Sequence, residues 1–315
     1  FALDNLAFRP RVLRDVENVD LSVNLFGHKL KMPVILAPIG SMQDFVDGAG
    51  TAPTLAASEF GIMHMISSTC MPGLEEVAKS VNYPKLFQLY VRGDKDWVDD
   101  NIKSAIEHNY AGICLTVDLD AYGRRERDLA KRYRTTSRQS ASGFEHQMRF
   151  SWKDIDRIKS YCDLPIIIKG IATKEDALLA VEHGVEVVYV SNHGGRQLDY
   201  GLGGLNVLPE IADAIGDNAK VIFDGGIMRG TDVVKAIALG ADCVGIGRLQ
   251  GLAAAAGGTK AIVRMLELLE LEILTALRLI GVNSIFDLDK TYLSKDYSFG
   301  NLNALSAFPL IGEGY

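Results

Sequence analysis

The chain has 315 residues, of which 48% are hydrophobic, enough to bury a large core as one big α/β barrel or as two ordinary domains. A formal net charge of -7 with no block of like charge excludes a surface built to hold nucleic-acid phosphates, so a small anion needs local Arg or Lys residues. Cys70, Cys114, Cys162 and Cys243 stand singly without zinc spacing, no apolar run approaches the ~18 residues of a membrane helix, and the opening residues lack a signal-peptide pattern. We therefore expect a soluble cytoplasmic protein without a metal site.

Short β-branched runs read as strands at 33–38, 62–68, 85–91, 112–118, 165–170, 187–192, 220–226 and 243–248. Amphipathic stretches alternate with them, including 94–108, 173–183 and 231–239, and the apolar tail 259–279 repeats at helical spacing as the last helix. Eight such units predict a (β/α)8 TIM barrel over a single domain, 1–315, in preference to an open doubly wound sheet. One long interruption, 119–150, rich in Arg, Ser and Gln, follows the fourth strand on the face where barrel active sites form. It reads as a mobile surface loop or as a lid.

The strand ends carry polar groups or glycines: Ala37-Pro38-Ile39-Gly40, Ser67-Ser68-Thr69, Gln88-Leu89-Tyr90, Thr116-Val117-Asp118, Lys169-Gly170, Ser191-Asn192-His193, Asp224-Gly225-Gly226 and Gly247-Arg248. One polar residue at a strand end is an ordinary loop start; eight sets together predict a ring around one mouth. Asp224, Gly225, Gly226, Gly247 and Arg248 offer bare backbone beside a guanidinium after the last two strands, as phosphate sites of this barrel class do.

Lys169 closes the apolar run Pro165-Ile166-Ile167-Ile168 and must find an anionic partner or lose its charge. It reads either as a Schiff-base lysine or as a fixed charge that stabilises electron density on a cofactor. In Ser191-Asn192-His193-Gly194-Gly195-Arg196-Gln197-Leu198-Asp199, Arg196 can grip a carboxylate while His193 acts as a base, with Asp118 holding the other imidazole nitrogen.

These motifs, with Phe87-Gln88-Leu89-Tyr90-Val91, Leu115-Thr116-Val117-Asp118 and Gly123-Arg124-Arg125-Glu126-Arg127-Asp128, resemble the FMN-dependent L-2-hydroxy acid oxidase and dehydrogenase family. The likeness runs from Arg9-Pro10-Arg11 to about Phe286. It implies FMN across the mouth, its phosphate near Asp224, Gly225, Gly226, Gly247 and Arg248, and its ring near Pro38, Ile39, Gly40, Ser67, Gln88, Thr116, Lys169 and Ser191. It further implies that Lys169 meets flavin N1 and O2, that His193 accepts the proton with Asp118 orienting it, and that Arg125, Arg196 and Tyr90 bind the substrate. The product would be a 2-keto acid, the flavin would be reoxidised by oxygen or another acceptor, and the protein would be a homo-oligomer, often a tetramer in this family.

The sequence also departs from the family pattern. Pro38-Ile39-Gly40 stands where Pro-Thr-Ala is usual, and its glycine resembles the mandelate dehydrogenase and lactate monooxygenase branches. Thr69 replaces the bulky Trp of glycolate oxidases, which implies a wider substrate pocket. Met228 replaces an FMN-binding Arg, Asp120 replaces a Pro, the segment after Arg132 is shorter, and the amino-terminal substrate-binding Tyr has no counterpart in this sequence. Two other readings follow from the same residues: a lysine-dependent aldolase or phosphosugar isomerase on the same barrel, and a flavin-binding relative without turnover.

Overall fold

The eight apolar runs form eight strands in a computed structural model that describes residues 2–295. They are β1 (Val34–Leu36), β2 (Met63–Ser67), β3 (Leu86–Leu89), β4 (Gly112–Thr116), β5 (Ile166–Ile171), β6 (Val187–Val190), β7 (Lys220–Asp224) and β8 (Cys243–Ile246). Each pairs in parallel with the next, and β8 returns to β1 with Val244 opposite Val34, so the sheet closes without an edge. Every residue of β2, β3, β4, β6 and β8 is buried, the pattern of parallel strands covered on both faces. Each Ile or Val so enclosed contributes roughly 1.5–3 kcal/mol.

Between and after the strands lie α1 (Thr51–Phe60), α2 (Leu74–Ser80), α3 (Lys95–Glu107), α4 (Trp152–Lys159), α5 (Lys174–Glu182), α6 (Gly204–Ile215), α7 (Gly230–Ala238) and α8 (Arg248–Ile280). Local chemistry sets where they start. The Asp94 carboxylate accepts the Trp97 N–H at 3.0 Å, the Thr173 hydroxyl accepts that of Asp176 at 3.3 Å, and Ser151 with Asp154 forms a capping box. A short hairpin, Val23–Leu25 with His28–Leu30, precedes the barrel, and Ala7–Phe8 pairs antiparallel with Leu293–Ser294.

Seven of the eight strands end one or two residues before the expected runs do, and two differences stand out. The last strand stops at Ile246, and Arg248 opens α8 after Gly247, whose backbone angles fit neither strand nor helix. The helix expected over 259–279 is the distal part of α8, which is interrupted at Gly257 and at Gly258, where φ is 60°. Of the single domain expected over 1–315, residue 1 and residues 296–315 lie outside the described residues.

The segment 119–150 contains three short helices, Glu126–Ala130, Thr136–Gln139 and Phe144–Arg149, and it is bonded to the barrel on two sides. Toward the loop after β1, the Thr136 N–H donates to Asp44 at 2.9 Å and the Ser137 N–H to Ser41 Oγ at 3.0 Å. Toward the loop after β3, buried Gln147 accepts the Val91 N–H at 3.0 Å. Hydrogen bonds from its middle and from its last helix fix the segment to the loops after β1 and β3.

Candidate active site

Along the apolar β5, Lys169 is the charged residue brought to the interior, and it is 5% exposed. Its ammonium donates to Ser191 Oγ at 2.9 Å and lies 3.4 Å from Asp224 Oδ2; Ser191 in turn donates to Asp224 Oδ1 at 2.6 Å. Burial by itself would push the lysine down, but the negative charges of Asp224 and Asp118 outweigh it and raise its pKa. Lys169 is therefore a fixed cation, which disfavours the Schiff-base chemistry of an aldolase, where a neutral amine must attack.

A bulge in β5 falls next to Lys169, and Gly170 takes φ 112° there. A Cβ at Gly170 would stand 2.7 Å from the Asp118 Cβ, so glycine lets the end of β4 come close. The Asp118 Oδ1 so placed lies 2.8 Å from His193 Nδ1. Burial pushes the Asp118 carboxyl up, but the His193 hydrogen bond and the Lys169 charge prevail and hold it below its usual value. An ionised Asp118 fixes Nδ1 as the imidazole donor and leaves the Nε2 lone pair free to take a proton.

His193 has φ 58°, and Gly194 and Gly195 follow with φ 68° and 72°. A histidine in the left-handed region is strained backbone, sustained here by its N–H bond to Ser191 Oγ at 3.1 Å. The Tyr90 hydroxyl lies 3.4 Å from Nε2 and is itself pushed up to about 12 by burial. Tyr90 thus stays protonated and can donate a hydrogen bond.

Arg125 is drawn to the same place and donates to Gln197 Oε1 at 3.1 Å, while its buried Nε has no partner. Burial and then the charge of Arg196 push the Arg125 guanidinium down, so the two cations face a common region. Arg196 is exposed. From the start of α8, Arg248 reaches the β6 loop, its Nη2 3.6 Å from the point where a Gly194 Cβ would stand. Gly225 and Gly226, both with positive φ, follow β7 on this same side.

On the opposite arc, buried Ser67 donates to Gln88 Oε1 at 2.8 Å, while Gln88 Nε2 and Thr116 Oγ1 are buried without a protein partner. Thr69 Oγ1 lies 3.1 Å from Ser67 Oγ and only 2.3 Å from where a Gly40 Cβ would be. Pro38 and Ile39 lead from β1 into Gly40, and the Ile39 Cδ1 lies 3.6 Å from a Cβ built on Gly251 in α8.

Some participants have no assigned role in the motifs. Gln197 lies within the 191–199 segment, yet it is the hub that accepts from Arg125 and donates to the carbonyls of Asp118 and Ala121 at 3.0 and 2.9 Å. Only its capacity for several simultaneous hydrogen bonds hints at this. Buried Tyr189 faces Asp224 without a well-formed hydrogen bond, and Lys169 Nζ lies 5.2 Å from its ring centre. No sequence signal separates Tyr189 from the other apolar residues of β6.

Known proteins resemble this chain over most of its length. Residues 1–295 match the FMN-dependent dehydrogenase family. The chain is 35% identical over 311 residues to a peroxisomal (S)-2-hydroxyacid oxidase of Arabidopsis thaliana, covering 93% of this chain and 86% of the relative. It is 35% identical over 320 residues to an L-lactate oxidase of Nostoc sp., covering 92% and 87%. A solved mandelate oxidase with benzoyl-formic acid superposes with TM-score 0.86 at 34% identity, covering 93% and 87%, and a mandelate oxidase variant holding a C4a-OH-FMN adduct gives 0.85 at 33%, covering 93% and 88%.

FMN suits the residues present. Gln88 and Thr116 offer buried polar atoms that need partners, Lys169 offers a permanent cation, and Gly225, Gly226 and Arg248 can hold a phosphate. Fold, polar ring and matched length converge: this chain belongs to the FMN-dependent dehydrogenase family and uses FMN as its cofactor.

Proposed function

We propose that this protein oxidises an L-2-hydroxy acid to the 2-keto acid at the mouth formed by Tyr90, Asp118, Arg125, His193 and Arg196. The observation that carries the proposal is the imidazole of His193, tied through Nδ1 to buried Asp118 at 2.8 Å with Nε2 turned toward Tyr90. When bound, FMN supplies the two-electron acceptor that converting a carbinol to a ketone needs. His193 Nε2 takes the substrate proton, and Asp118 stabilises the imidazolium that results. Arg125 and Arg196 hold the carboxylate, and Tyr90 donates a hydrogen bond to it or to the hydroxyl. Lys169, Ser191, Gln88, Thr116, Ser67 and Pro38 to Gly40 line the flavin ring in this reading, while Asp224 to Gly226, Gly247 and Arg248 line its phosphate.

The substrates for which the relatives are named, a (S)-2-hydroxyacid, L-lactate and mandelate, support this class. Oxygen or another acceptor reoxidises the flavin, and the working form is a homo-oligomer, which sedimentation velocity tests. No helix among the described residues is long and apolar enough to cross a membrane. The four cysteines are buried and unpaired, which supports a reducing compartment such as the cytoplasm, although the Arabidopsis relative is named peroxisomal.

The deciding experiment is an anaerobic visible spectrum of the FMN-loaded protein before and after glycolate, L-lactate or L-mandelate, followed by air. Bleaching by one of the acids supports the proposal, and the speed of recovery in air separates an oxidase from a dehydrogenase. A flavin that no 2-hydroxy acid bleaches overturns it.

A further inference from the structure

One carboxylate is satisfied by one or two guanidinium groups, yet three lie over the rings of Tyr90 and Tyr122 and a fourth, that of Arg196, is near enough to act on one of them. Arg125 and Arg138 have their Cζ atoms 5.2 and 5.1 Å from the Tyr122 ring centre, Arg92 lies 5.6 Å from that of Tyr90, and the charge of Arg196 reaches Arg125. None of these four takes part in an ion pair among the described residues, whereas Arg124, Arg157 and Arg264 do. Like charges have been gathered at the mouth with no carboxylate at ion-pair distance, Asp128 and Asp120 acting on Arg125 and Arg92 only from farther off.

Arg92 is the unexpected member. It comes two residues after Tyr90, and its guanidinium packs 4.2 Å from the Phe144 ring centre beneath the 119–150 segment. Its one hydrogen bond goes to its neighbour's carbonyl, Val91 O, at 3.0 Å. Burial pushes its pKa down; the carboxylate that acts on it, Asp120, is exposed and does not pair with it. A half-buried, unpaired cation costs free energy that an incoming anion would recover.

We propose that the substrate of this site is a 2-hydroxy dicarboxylic acid, with Arg125 and Arg196 on the carboxylate next to the reacting carbon and Arg92 taking the second carboxylate on the Tyr90 and Phe144 side of the mouth. This rests on the reading of the site as a 2-hydroxy acid oxidising centre and adds the class of substrate.

The test uses the FMN-loaded protein and its Arg92→Met and Arg92→Lys variants. Anaerobic flavin reduction is followed with L-malate and (S)-2-hydroxyglutarate, against (S)-2-hydroxybutyrate and (S)-2-hydroxypentanoate as monoacids of similar length. Binding of the unreactive pair succinate and butyrate is read from the flavin spectrum. The expected result is a diacid preference of at least tenfold in both reduction and binding, which Arg92→Met lowers at least tenfold and Arg92→Lys partly keeps. A packing role for Arg92 would lower both acid classes alike and leave the ratio where it was, which overturns the proposal. Monoacids that reduce the flavin as well as diacids overturn it while leaving the 2-hydroxy acid reading intact. If no acid of either class reduces the flavin, the functional reading fails, and the succinate-to-butyrate ratio still decides whether Arg92 builds a second anion subsite.

Discussion

The two halves of the barrel mouth are built on different principles. From β5 to β7, Lys169, Ser191, Asp224 and His193 form one hydrogen-bonded network, tied to Asp118 just after β4, in which each charge has a partner. From β1 to β3 and in the 119–150 segment, contacts are looser: Gln88 Nε2 has no partner, the Thr69 hydroxyl fills the space of an absent Gly40 side chain, and Arg92 stands unpaired against Phe144. A connected polar network admits few changes, because losing one member strands the others in a low dielectric. An arc of packing contacts and unpaired cations can change residue by residue and so can tune the substrate.

If this division is right, the largest losses come from the connected half. His193→Ala should retain FMN, because the imidazole touches none of the phosphate-side residues, yet lower the rate of anaerobic flavin reduction by about 10²–10⁴-fold, the usual contribution of a positioned base. Stopped-flow reduction measures this, and a variant that bleaches at the wild-type rate would remove His193 from the mechanism. Lys169→Met should cost roughly 3–5 kcal/mol in denaturant unfolding, since it leaves the largely enclosed Asp224 carboxylate without its cation. The folded-state pKa of Lys169 is raised, so its stabilisation is fully present below the unfolded value near 10.5 and fades only as pH rises through the higher folded one. The difference between variant and wild type should therefore stay constant from pH 6 to 9; a gap under about 1 kcal/mol would show that the ion pair does not organise this half.

The same division accounts for what the sequence made legible. The eight strands were readable because each is a short, mostly apolar and largely buried run, and 94 and 173 were readable as helix starts because Asp and Thr cap them with their side chains. His193, Asp118 and Lys169 stood out because polar residues that end apolar strands need partners, and β5 itself announces that Lys169 is enclosed. In the looser half Gly40, Ser67, Thr69, Gln88 and Tyr90 were legible as strand ends, but Arg92 was hidden. Nothing in the sequence places Arg92 against Phe144, since that contact is made across 52 residues by the fold of a segment that reads as loop. The interruption of α8 at Gly257 and Gly258 was legible only as two glycines, which turns also favour.

The looser half carries the smaller predictions, and the first concerns where acid attacks it. His64 on β2 is completely buried; its Nδ1 lies 2.7 Å from Thr54 Oγ1, and burial lowers its pKa to about 3. A depressed histidine pKa means that the unfolded chain takes up a proton first, so stability is full above about 6.5 and falls as the pH drops toward 3. Between pH 7 and 5 this group alone should cost about 2 kcal/mol at 1.36 kcal/mol per unit. Unfolding of wild type and His64→Gln at both pH values isolates it, because the variant should lose that part of the slope; equal slopes would place the acid sensitivity elsewhere.

The smallest effect tests whether Gly40 and Thr69 act as one unit. A methyl at Gly40 would collide with Thr69 Oγ1 at 2.3 Å, and the hydroxyl can swing away only by giving up its 3.1 Å contact with Ser67. Gly40→Ala should therefore destabilise the FMN-loaded protein by about 1–2 kcal/mol, between the value of one hydrogen bond and that of a mildly overpacked site. In a Thr69→Ala background the obstructing oxygen is gone, so the same substitution should cost little, giving a coupling of about 1 kcal/mol in a double-mutant cycle. Strict additivity would mean that the two positions vary independently. Coupling would show that Gly40 and Thr69 are two sides of a single packing solution in the looser half of the mouth.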